Sequence, residues 1–232
     1  MEQNAIVSLK DVYVEFDSEV ILNKINLDIK DKEFVTLLGP SGCGKTTTLR
    51  VIGGFLNPDG GDVYFEGKRI NDLPPNKRNV NTVFQKYALF PHLNVYENIA
   101  FGLKLKKMKK PEIDKLVKEM LAIVDLKGYE KRRVNQLSGG QQQRVAIARA
   151  VIKGARILFC DEATGSLDEE NSKKVVNLLH NLKYIFGMTV LFTTHNKQIA
   201  QTADRILTIK NGMIFGDVAN KKPISADEMV WC

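Results

Sequence analysis

The first segment with residue types suited to chemistry is a glycine-rich loop. Residues 39–46 read GPSGCGKT and fit the pattern G-x-x-x-x-G-K-[ST] without a mismatch. Glycines let successive backbone N–H groups point at phosphate oxygens, and the following helix N-terminus adds partial positive charge. We therefore predict a nucleotide-phosphate site in which Lys45 reaches the β- and γ-phosphates and Thr46 ligates Mg²⁺. The residues expected to contact the nucleotide here are Gly39, Pro40, Ser41, Gly42, Cys43, Gly44, Lys45, Thr46 and Thr47.

The second segment is an apolar strand that ends in two acids. Residues 157–162 read ILFCDE, which places both carboxylates at the carboxyl edge of a parallel sheet, where ligands collect. Asp161 is expected to hold Mg²⁺ through water, and Glu162 is the candidate general base, a role worth about 10²–10⁴-fold in rate. His195 follows the next predicted strand, so it could contact the γ-phosphate or orient Glu162 and the attacking water.

The third segment is LSGGQ, at residues 137–141, which opens a predicted helix running through residue 152. Ser138 and two glycines at a helix start make a second N-terminus suited to phosphate, with exposed N–H groups and a small hydroxyl. By itself the segment would more often be a plain helix cap. One chain thus offers two helix N-termini for one triphosphate.

The elements that must position these residues are strands alternating with helices, which indicates an α/β protein. Helices are predicted at 45–53, 113–124 and 169–186, and Asn211-Gly212 makes a hairpin turn before a polar, irregular tail after Gly216. The strand-like segments are VSLKDVYVEF, KINLDI, FVTLLG, DVYFEG, NTVF, RILFC, TVLFT and RILTI.

The predicted layout is one domain over residues 1–232. The α/β core comprises residues 1–85 and 156–218, a helical subdomain at 86–155 is inserted between them, and 219–232 is a tail. The stretch from 113 to 124 carries the clearest helical stripe. Its apolar positions are Ile113, Leu116, Val117, Met120, Leu121 and Val124.

Charge is concentrated in the helical part of a chain with net charge +7. Seven lysines lie between Lys104 and Lys118, with only Glu112 and Asp114 to offset them. A solvated helical surface is the plain interpretation. Attraction to an acidic membrane surface is the alternative. Nucleic-acid binding is disfavoured because no aromatic stacking platform is interleaved with these lysines.

Composition places the chain among globular proteins of a reducing compartment. No run approaches the roughly 18 apolar residues of a membrane span, and the N-terminus lacks a signal-peptide pattern. Cys43, Cys160 and Cys232 are odd in number and not placed for a disulfide framework. We therefore expect a cytoplasmic location and no structural metal.

These three segments, in this order, resemble the ATP-binding cassette family, the ATPase subunits of ABC transporters. The resemblance covers about residues 5–218. It implies a P-loop NTPase core with a mixed sheet, an N-terminal antiparallel β subdomain and an inserted helical subdomain. It also implies two cassettes packed head to tail. Each ATP then lies between one chain's phosphate loop and the other chain's Ser138, Gly139, Gly140 and Gln141.

Further site residues follow from the resemblance alone. Gln85 corresponds to the family's glutamine that senses Mg²⁺ and the water, and Asp168 belongs to the loop that crosses the dimer interface. Aligning VYVEF puts Phe16 at the adenine-stacking position, with Tyr13 as the competitor. Stacking on either ring would contribute on the order of 1 kcal/mol.

Within the family the resemblance is mixed. Residues 79–103 look like the ATPases of polyamine importers and their sugar- and iron-importing relatives. DEATGSLD through the tail KKPISADEMVW looks more like the lipoprotein-release and macrolide-export group. The importers carry a C-terminal regulatory domain that has no counterpart in these 232 residues. The chain also has Ala163 where the family commonly has proline, and Lys32 where glycine is usual. Cargo and direction of transport therefore stay open.

We predict an ATPase subunit that binds ATP and Mg²⁺, pairs with a second cassette and engages a transmembrane permease supplied in trans at the inner face of the membrane. A soluble ABC ATPase of DNA repair or translation is the alternative. Members in chromosome maintenance need a long coiled coil that this chain lacks, and translation members carry two cassettes. A scaffold without turnover is disfavoured because Glu162 and His195 are both present.

Overall fold

The computed structural model describes residues 5–230. Its strands are β1 (Ala5–Phe16), β2 (Glu19–Lys30), β3 (Phe34–Leu38), β4 (Gly60–Phe65), β5 (Lys68–Arg69), β6 (Val80–Val83), β7 (Ile157–Asp161), β8 (Thr189–Thr194), β9 (Arg205–Lys210) and β10 (Met213–Ala219). Its helices are α1 (Lys45–Gly53), α2 (Val95–Leu105), α3 (Lys110–Ile123), α4 (Gly139–Val151), α5 (Glu169–Phe186) and α6 (Lys197–Ala200). The predicted α/β class is confirmed.

A six-stranded mixed sheet forms the centre of the molecule, with the strand order β10-β9-β3-β8-β7-β6. All neighbours are parallel except β10, which pairs antiparallel with β9 through the predicted Asn211-Gly212 turn. In register, Leu38 lies opposite Thr194 and Asp161 lies opposite Thr193. The carboxyl ends of β3, β7 and β8 therefore meet at one edge, where the chemical segments begin.

Side chains of the central strands point alternately to the two faces of the sheet and pack into two separate hydrophobic cores. Phe159 of β7 and Leu191 of β8 pack on the face that holds α1 and the N-terminal strands. Leu158 and Phe192 point the other way, into the core shared with α2, α3, α4 and α5. Successive residues of a strand face opposite sides, so strands buried on both faces read as continuous apolar runs.

The N-terminal strands form a second, antiparallel sheet in the order β2-β1-β4-β5. The predicted turn at Asp31-Lys32 joins β2 to β3. Lys32 has φ +62°, and its N–H donates to the Thr189 hydroxyl at 2.8 Å. This left-handed conformation explains why glycine is usual at this position, since a side chain adds strain there.

The helical part begins later than the sequence pattern indicates. Residues 86–94 contain no helix, and Tyr87 and Ala88 both have positive φ. Helix α2 starts where Asn94 and Glu97 form a reciprocal capping box, a signal that the apolar periodicity did not register. The predicted stripe on α3 is buried except for the partly exposed Leu116.

No helix within residues 5–230 combines the length and apolar character needed to cross a bilayer.

The segment after Gly216 is more ordered than predicted. Strand β10 continues to Ala219, and a 3₁₀ turn follows at Ala226–Glu228. Ala226 and Met229 are buried in the core that contains α5, so two apolar residues anchor an otherwise polar segment. Cys43 and Cys160 are buried free thiols, and burial raises the pKa of the Cys160 thiol. Cys232 lies outside the described residues.

Candidate functional site

The glycine-rich loop connects the end of β3 to the start of α1. Gly44 stands just before the helix with φ +109°, and a Cβ there would lie 2.7 Å from Leu22 Cδ2, so only glycine fits. No side chain caps this helix start. Its first N–H groups are therefore available to an anion, and the helix dipole favours negative charge at this point.

Lys45 is held inside the loop. Its side chain is only 4% exposed, and Nζ donates to the carbonyl oxygens of Gly39 and Pro40 at 2.8 Å each. Glu162 Oε1 lies 4.0 Å from the same ammonium. The positive charge is thus fixed beneath the loop, pointing toward the carboxyl ends of the strands.

Two hydroxyl groups converge on the carboxylate that ends β7. Thr46 Oγ1 donates to Asp161 Oδ1 at 2.8 Å, and Thr193 Oγ1 donates to the same oxygen at 3.0 Å. Thr193 also accepts the backbone N–H of Glu162 at 2.9 Å. One buried threonine on β8 therefore holds both members of the acidic pair in place.

Glu162 leaves the strand in an unusual backbone conformation. Its φ is +48°, which is strained for a residue with a side chain and costs roughly 1–3 kcal/mol. The turn directs its carboxylate between Lys45 and His195, whose Nδ1 lies 3.9 Å from Glu162 Oε1. Glu162 is 23% exposed and His195 is 62% exposed, so the histidine stands at the solvent side of the pair.

A cavity of 360 Å³ is lined by seven of the fifteen predicted nucleotide-binding residues, whereas Gly39, Pro40 and Cys43 of the glycine-rich loop do not border it. Phe16 and Gln85 border it, whereas Tyr13 does not and instead donates its hydroxyl to Glu15. The remaining lining residues are Ile21, Ser41, Gly42, Gly44, Lys45, Thr46, Thr47, Asp161 and Glu162. His195 borders a neighbouring 600 Å³ cavity that also includes Glu162.

The LSGGQ segment lies apart from that cavity. None of Ser138, Gly139, Gly140 and Gln141 borders it among the described residues. At the start of α4, Ser138 Oγ accepts the Gln141 N–H at 3.3 Å, and Gln141 Oε1 accepts the Ser138 N–H at 3.0 Å. The N-terminus of α4 is thus capped by hydrogen bonds to its own side chains.

The glycines of this segment are packed against the start of α5 and against the loop that contains Tyr87. A Cβ on Gly140 would lie 2.3 Å from Asn171 Oδ1, and one on Gly139 would lie 2.8 Å from the Tyr87 hydroxyl oxygen. Asp168 caps α5 by accepting from Asn171, mainly through the backbone N–H, which lowers the pKa of its carboxyl. Asp168 also stays outside the 360 Å³ cavity.

Two residues of this site escaped the sequence reasoning. Thr193 lies inside a predicted strand, where a threonine looks like ordinary β-structure, and only the register with Asp161 gives it a role. The Tyr87 hydroxyl oxygen lies 3.1 Å from Ser166 Oγ and next to Gly139. Tyr87 thereby links the segment after Gln85 to both the LSGGQ helix and the loop of Asp168.

Comparison with known proteins shows the family of the chain. The family model described as "ABC transporter" matches residues 22–165. The spermidine/putrescine import ATP-binding protein PotA of Acetivibrio thermocellus is 54% identical over 92% of this chain, and that of Clostridium novyi is 53% identical over 90%. The chain spans 61% and 60% of the length of these two relatives.

Solved structures of ABC ATPase cassettes have the same fold. The cassette MJ0796, in a dimeric structure described as a post-hydrolysis state bound to ADP and Pi, has a TM-score of 0.83 and 36% identity, covering 93% of this chain and 99% of that one. CbiO1 of Clostridium perfringens, described as part of the ABC transporter complex cbiONQ, has a TM-score of 0.87 and 27% identity, covering 94% and 90%. The chain therefore belongs to the ABC transporter family, and its fold is that of an ATP-binding cassette.

Proposed function

We propose that this chain is an ATP-hydrolysing subunit that powers transport through a membrane permease. The observation that carries the proposal is the convergence of Lys45, Thr46, Asp161 and Glu162 in one cavity at the edge of the central sheet. Family membership supports the same reaction.

The phosphate loop binds the triphosphate. Lys45 exchanges its two loop carbonyls for β- and γ-phosphate oxygens, whose negative charge adds ion pairing to the hydrogen bond. The backbone N–H groups at the start of α1 take the remaining oxygens. Phe16, at the rim of the same cavity, stacks on the adenine.

Thr46 and Asp161 fit the needs of Mg²⁺. This ion is usually held by one or two carboxylates, substrate phosphates and water rather than by a full protein cage. The described residues contain no cluster of three carboxylate, histidine or cysteine ligands, while the Thr46 hydroxyl and the Asp161 carboxylate meet at 2.8 Å. Bound Mg²⁺ would neutralise phosphate charge, and Gln85 at the cavity rim would monitor its ligation.

Glu162 serves as general base for the attacking water, and His195 orients it from the solvent side. The strained turn at Glu162 and its tether to Thr193 fix where the carboxylate points. Preorganised geometry of this kind is what a proton-abstracting group requires.

A second cassette completes the site. In our proposal Ser138, Gly139, Gly140 and Gln141 of one chain bind the γ-phosphate held by its partner's phosphate loop, and the loop of Asp168 crosses between the two. The separation of LSGGQ from the 360 Å³ cavity within one chain supports this division. The dimeric structure of MJ0796 supports it as well.

The permease docks in a 260 Å³ groove between the central sheet and α2. Phe84, Phe90 and Phe101 line it, and Arg149 lies over the Phe90 ring at 5.2 Å. Leu105, which is 70% exposed, borders the groove together with the partly exposed rings of Phe84 and Phe101, and a contiguous apolar patch of this kind marks an interaction site. This contact would hold the subunit at the cytoplasmic face of the membrane.

The cargo we propose is a polyamine moving inward. The names of the relatives with 54% and 53% identity support this choice over the export interpretation. Uptake of labelled spermidine by cells that lack this chain tests it. Wild type should restore uptake and Glu162→Gln should not. Restored ATP hydrolysis without restored uptake would reject the cargo, and absence of phosphate release by the purified chain would reject the ATPase itself.

A further inference from the structure

Seven exposed lysines cover the end of α2 and the start of α3. We call Lys104, Lys106, Lys107, Lys109, Lys110, Lys115 and Lys118 the lysine surface. Two carboxylates, Glu112 and Asp114, fall in the same stretch, and Asp114 accepts the Tyr96 hydroxyl at 2.5 Å. No member of the lysine surface forms an ion pair with any residue in the range 5–230.

The lysines of α5 behave differently. Lys173 pairs with Glu169 at 2.8 Å and Lys174 pairs with Glu170 at 2.6 Å, each one helical turn away, and Lys183 pairs with Asp204 at 2.6 Å. Most other lysines within residues 5–230 also form no ion pair, so the lysine surface is distinguished by its density of unpaired charge. The lysine surface concentrates positive charge that no neighbouring carboxylate neutralises, so it is suited to an anionic partner.

The position of the lysine surface narrows the choice of partner. Leu105 lies between Lys104 and Lys106, and with Phe101 it borders the groove described above for the permease. If the permease occupies that groove, the lysine surface beside it faces the bilayer around the permease, whose cytoplasmic leaflet carries anionic headgroups. The nearby Tyr96 is only partly exposed and its hydroxyl donates to Asp114, so its ring is poorly suited to base stacking.

We propose that the lysine surface binds the anionic phospholipid headgroups of the bilayer around the permease. The proposal rests on the proposed function, because docking at the groove would bring α2 and α3 toward the membrane. Each lysine near an anionic bilayer contributes about fivefold in partitioning. The surface would thus orient the cassette, in addition to the contact made in the groove.

The test measures co-sedimentation of the purified full chain with two kinds of vesicle. One contains phosphatidylcholine alone, and the other contains phosphatidylcholine and phosphatidylglycerol in equal parts. The test variant changes Lys109, Lys110, Lys115 and Lys118 to Gln, which has a helix propensity close to that of lysine. The control changes Lys173, Lys174, Lys221 and Lys222 to Gln, which removes the same total charge elsewhere.

We expect the wild-type chain to bind the anionic vesicles only. This binding should fall at least about tenfold in the test variant and change little in the control. Raising salt from about 0.1 M to about 1 M should release the protein, because the screening length falls from about 10 Å to about 3 Å. Equal losses in both variants, or binding to neutral vesicles alone, would overturn the proposal. Binding to RNA, but not to vesicles, that depends on the four lysines changed in the test variant would also overturn it.

Phosphate release by the two variants, assayed without vesicles, keeps this test separate from the proposed function. Both variants should hydrolyse ATP at the wild-type rate, since none of the eight lysines borders the 360 Å³ cavity. An inactive wild-type chain that still binds anionic vesicles would contradict the ATPase proposal and leave the lipid contact standing. A chain that hydrolyses ATP but does not bind anionic vesicles would contradict the lipid contact and leave the ATPase proposal standing.

Discussion

The two helix N-termini that the sequence assigns to phosphate differ in how their backbone groups are satisfied. The start of α1 follows a left-handed glycine and has no side-chain cap. The start of α4 is closed by the reciprocal hydrogen bonds of Ser138 and Gln141. An uncapped helix start is ready for an anion, whereas a capped one must first exchange a hydrogen bond of its own.

This difference indicates an order of events. In the proposed dimer the phosphate loop, with Lys45 already buried beneath it, would bind nucleotide first and within one chain. The α4 start would join later, when the partner chain presents a γ-phosphate. It would then exchange the 3.3 Å hydrogen bond from the Gln141 N–H to Ser138 Oγ for one to phosphate. The following substitutions test the two halves of the proposed nucleotide site, the phosphate loop and the LSGGQ segment, separately from each other.

Glu162→Gln should have the largest effect. The amide cannot accept the proton of the attacking water, so phosphate release should fall about 10²–10⁴-fold. ATP affinity should be retained, and the chain should accumulate as an ATP-bound dimer. Steady-state phosphate release, nucleotide titration and size-exclusion chromatography measure the three properties. Hydrolysis at the wild-type rate would remove Glu162 as the base.

Lys45→Ala should weaken ATP binding by the single chain about 10–100-fold, because a charge-assisted contact to phosphate contributes about 1.5–3 kcal/mol. Titration with a fluorescent ATP analogue measures this change. Lys174→Ala is the matched control, since that lysine is exposed and lies on α5. Unchanged affinity in Lys45→Ala would contradict the phosphate-loop assignment.

Thr193→Val tests the tether between the two acids. Valine keeps the shape but leaves the Glu162 N–H without its partner, which should destabilise the fold by about 1–3 kcal/mol. Phosphate release should fall together with stability, and Thr193→Ser should restore both. Chemical denaturation and phosphate release are the measurements. A valine variant with normal stability and rate would show that the tether is dispensable.

Ser138→Ala should have the smallest effect, and it should weaken dimer formation more than nucleotide binding by the single chain. Loss of the cap costs about 1 kcal/mol of helix stability. Nucleotide affinity of the single chain should change less than about twofold, while ATP-dependent dimer formation by Glu162→Gln weakens when Ser138→Ala is added. If single-chain affinity falls as far as in Lys45→Ala, the two halves do not act in sequence.

The sequence by itself determined the chemistry and much of the fold. The loop at 39–46, the acids at 161 and 162 and the helices at 45–53 and 169–186 follow from local rules. Glycine conformations, apolar periodicity and helix capping act over a few residues, so their signals are contiguous in the chain. The segment at 86–94 and the anchored tail near Met229 were not predictable in this way, since their conformations depend on distant packing.

Only the tertiary structure decided which side chains meet. Thr193 acquires its function from the register of β7 against β8, and Tyr87 from three loops that converge around Gly139. The choice of Phe16 over Tyr13 at the cavity rim likewise depends on which way β1 turns its side chains. Such contacts join residues far apart in sequence, and no local pattern encodes them. The two helix starts combine both levels. Gly44 and the capping box of Ser138 and Gln141 are local features of the sequence, whereas only the fold places one start at the 360 Å³ cavity and the other apart from it.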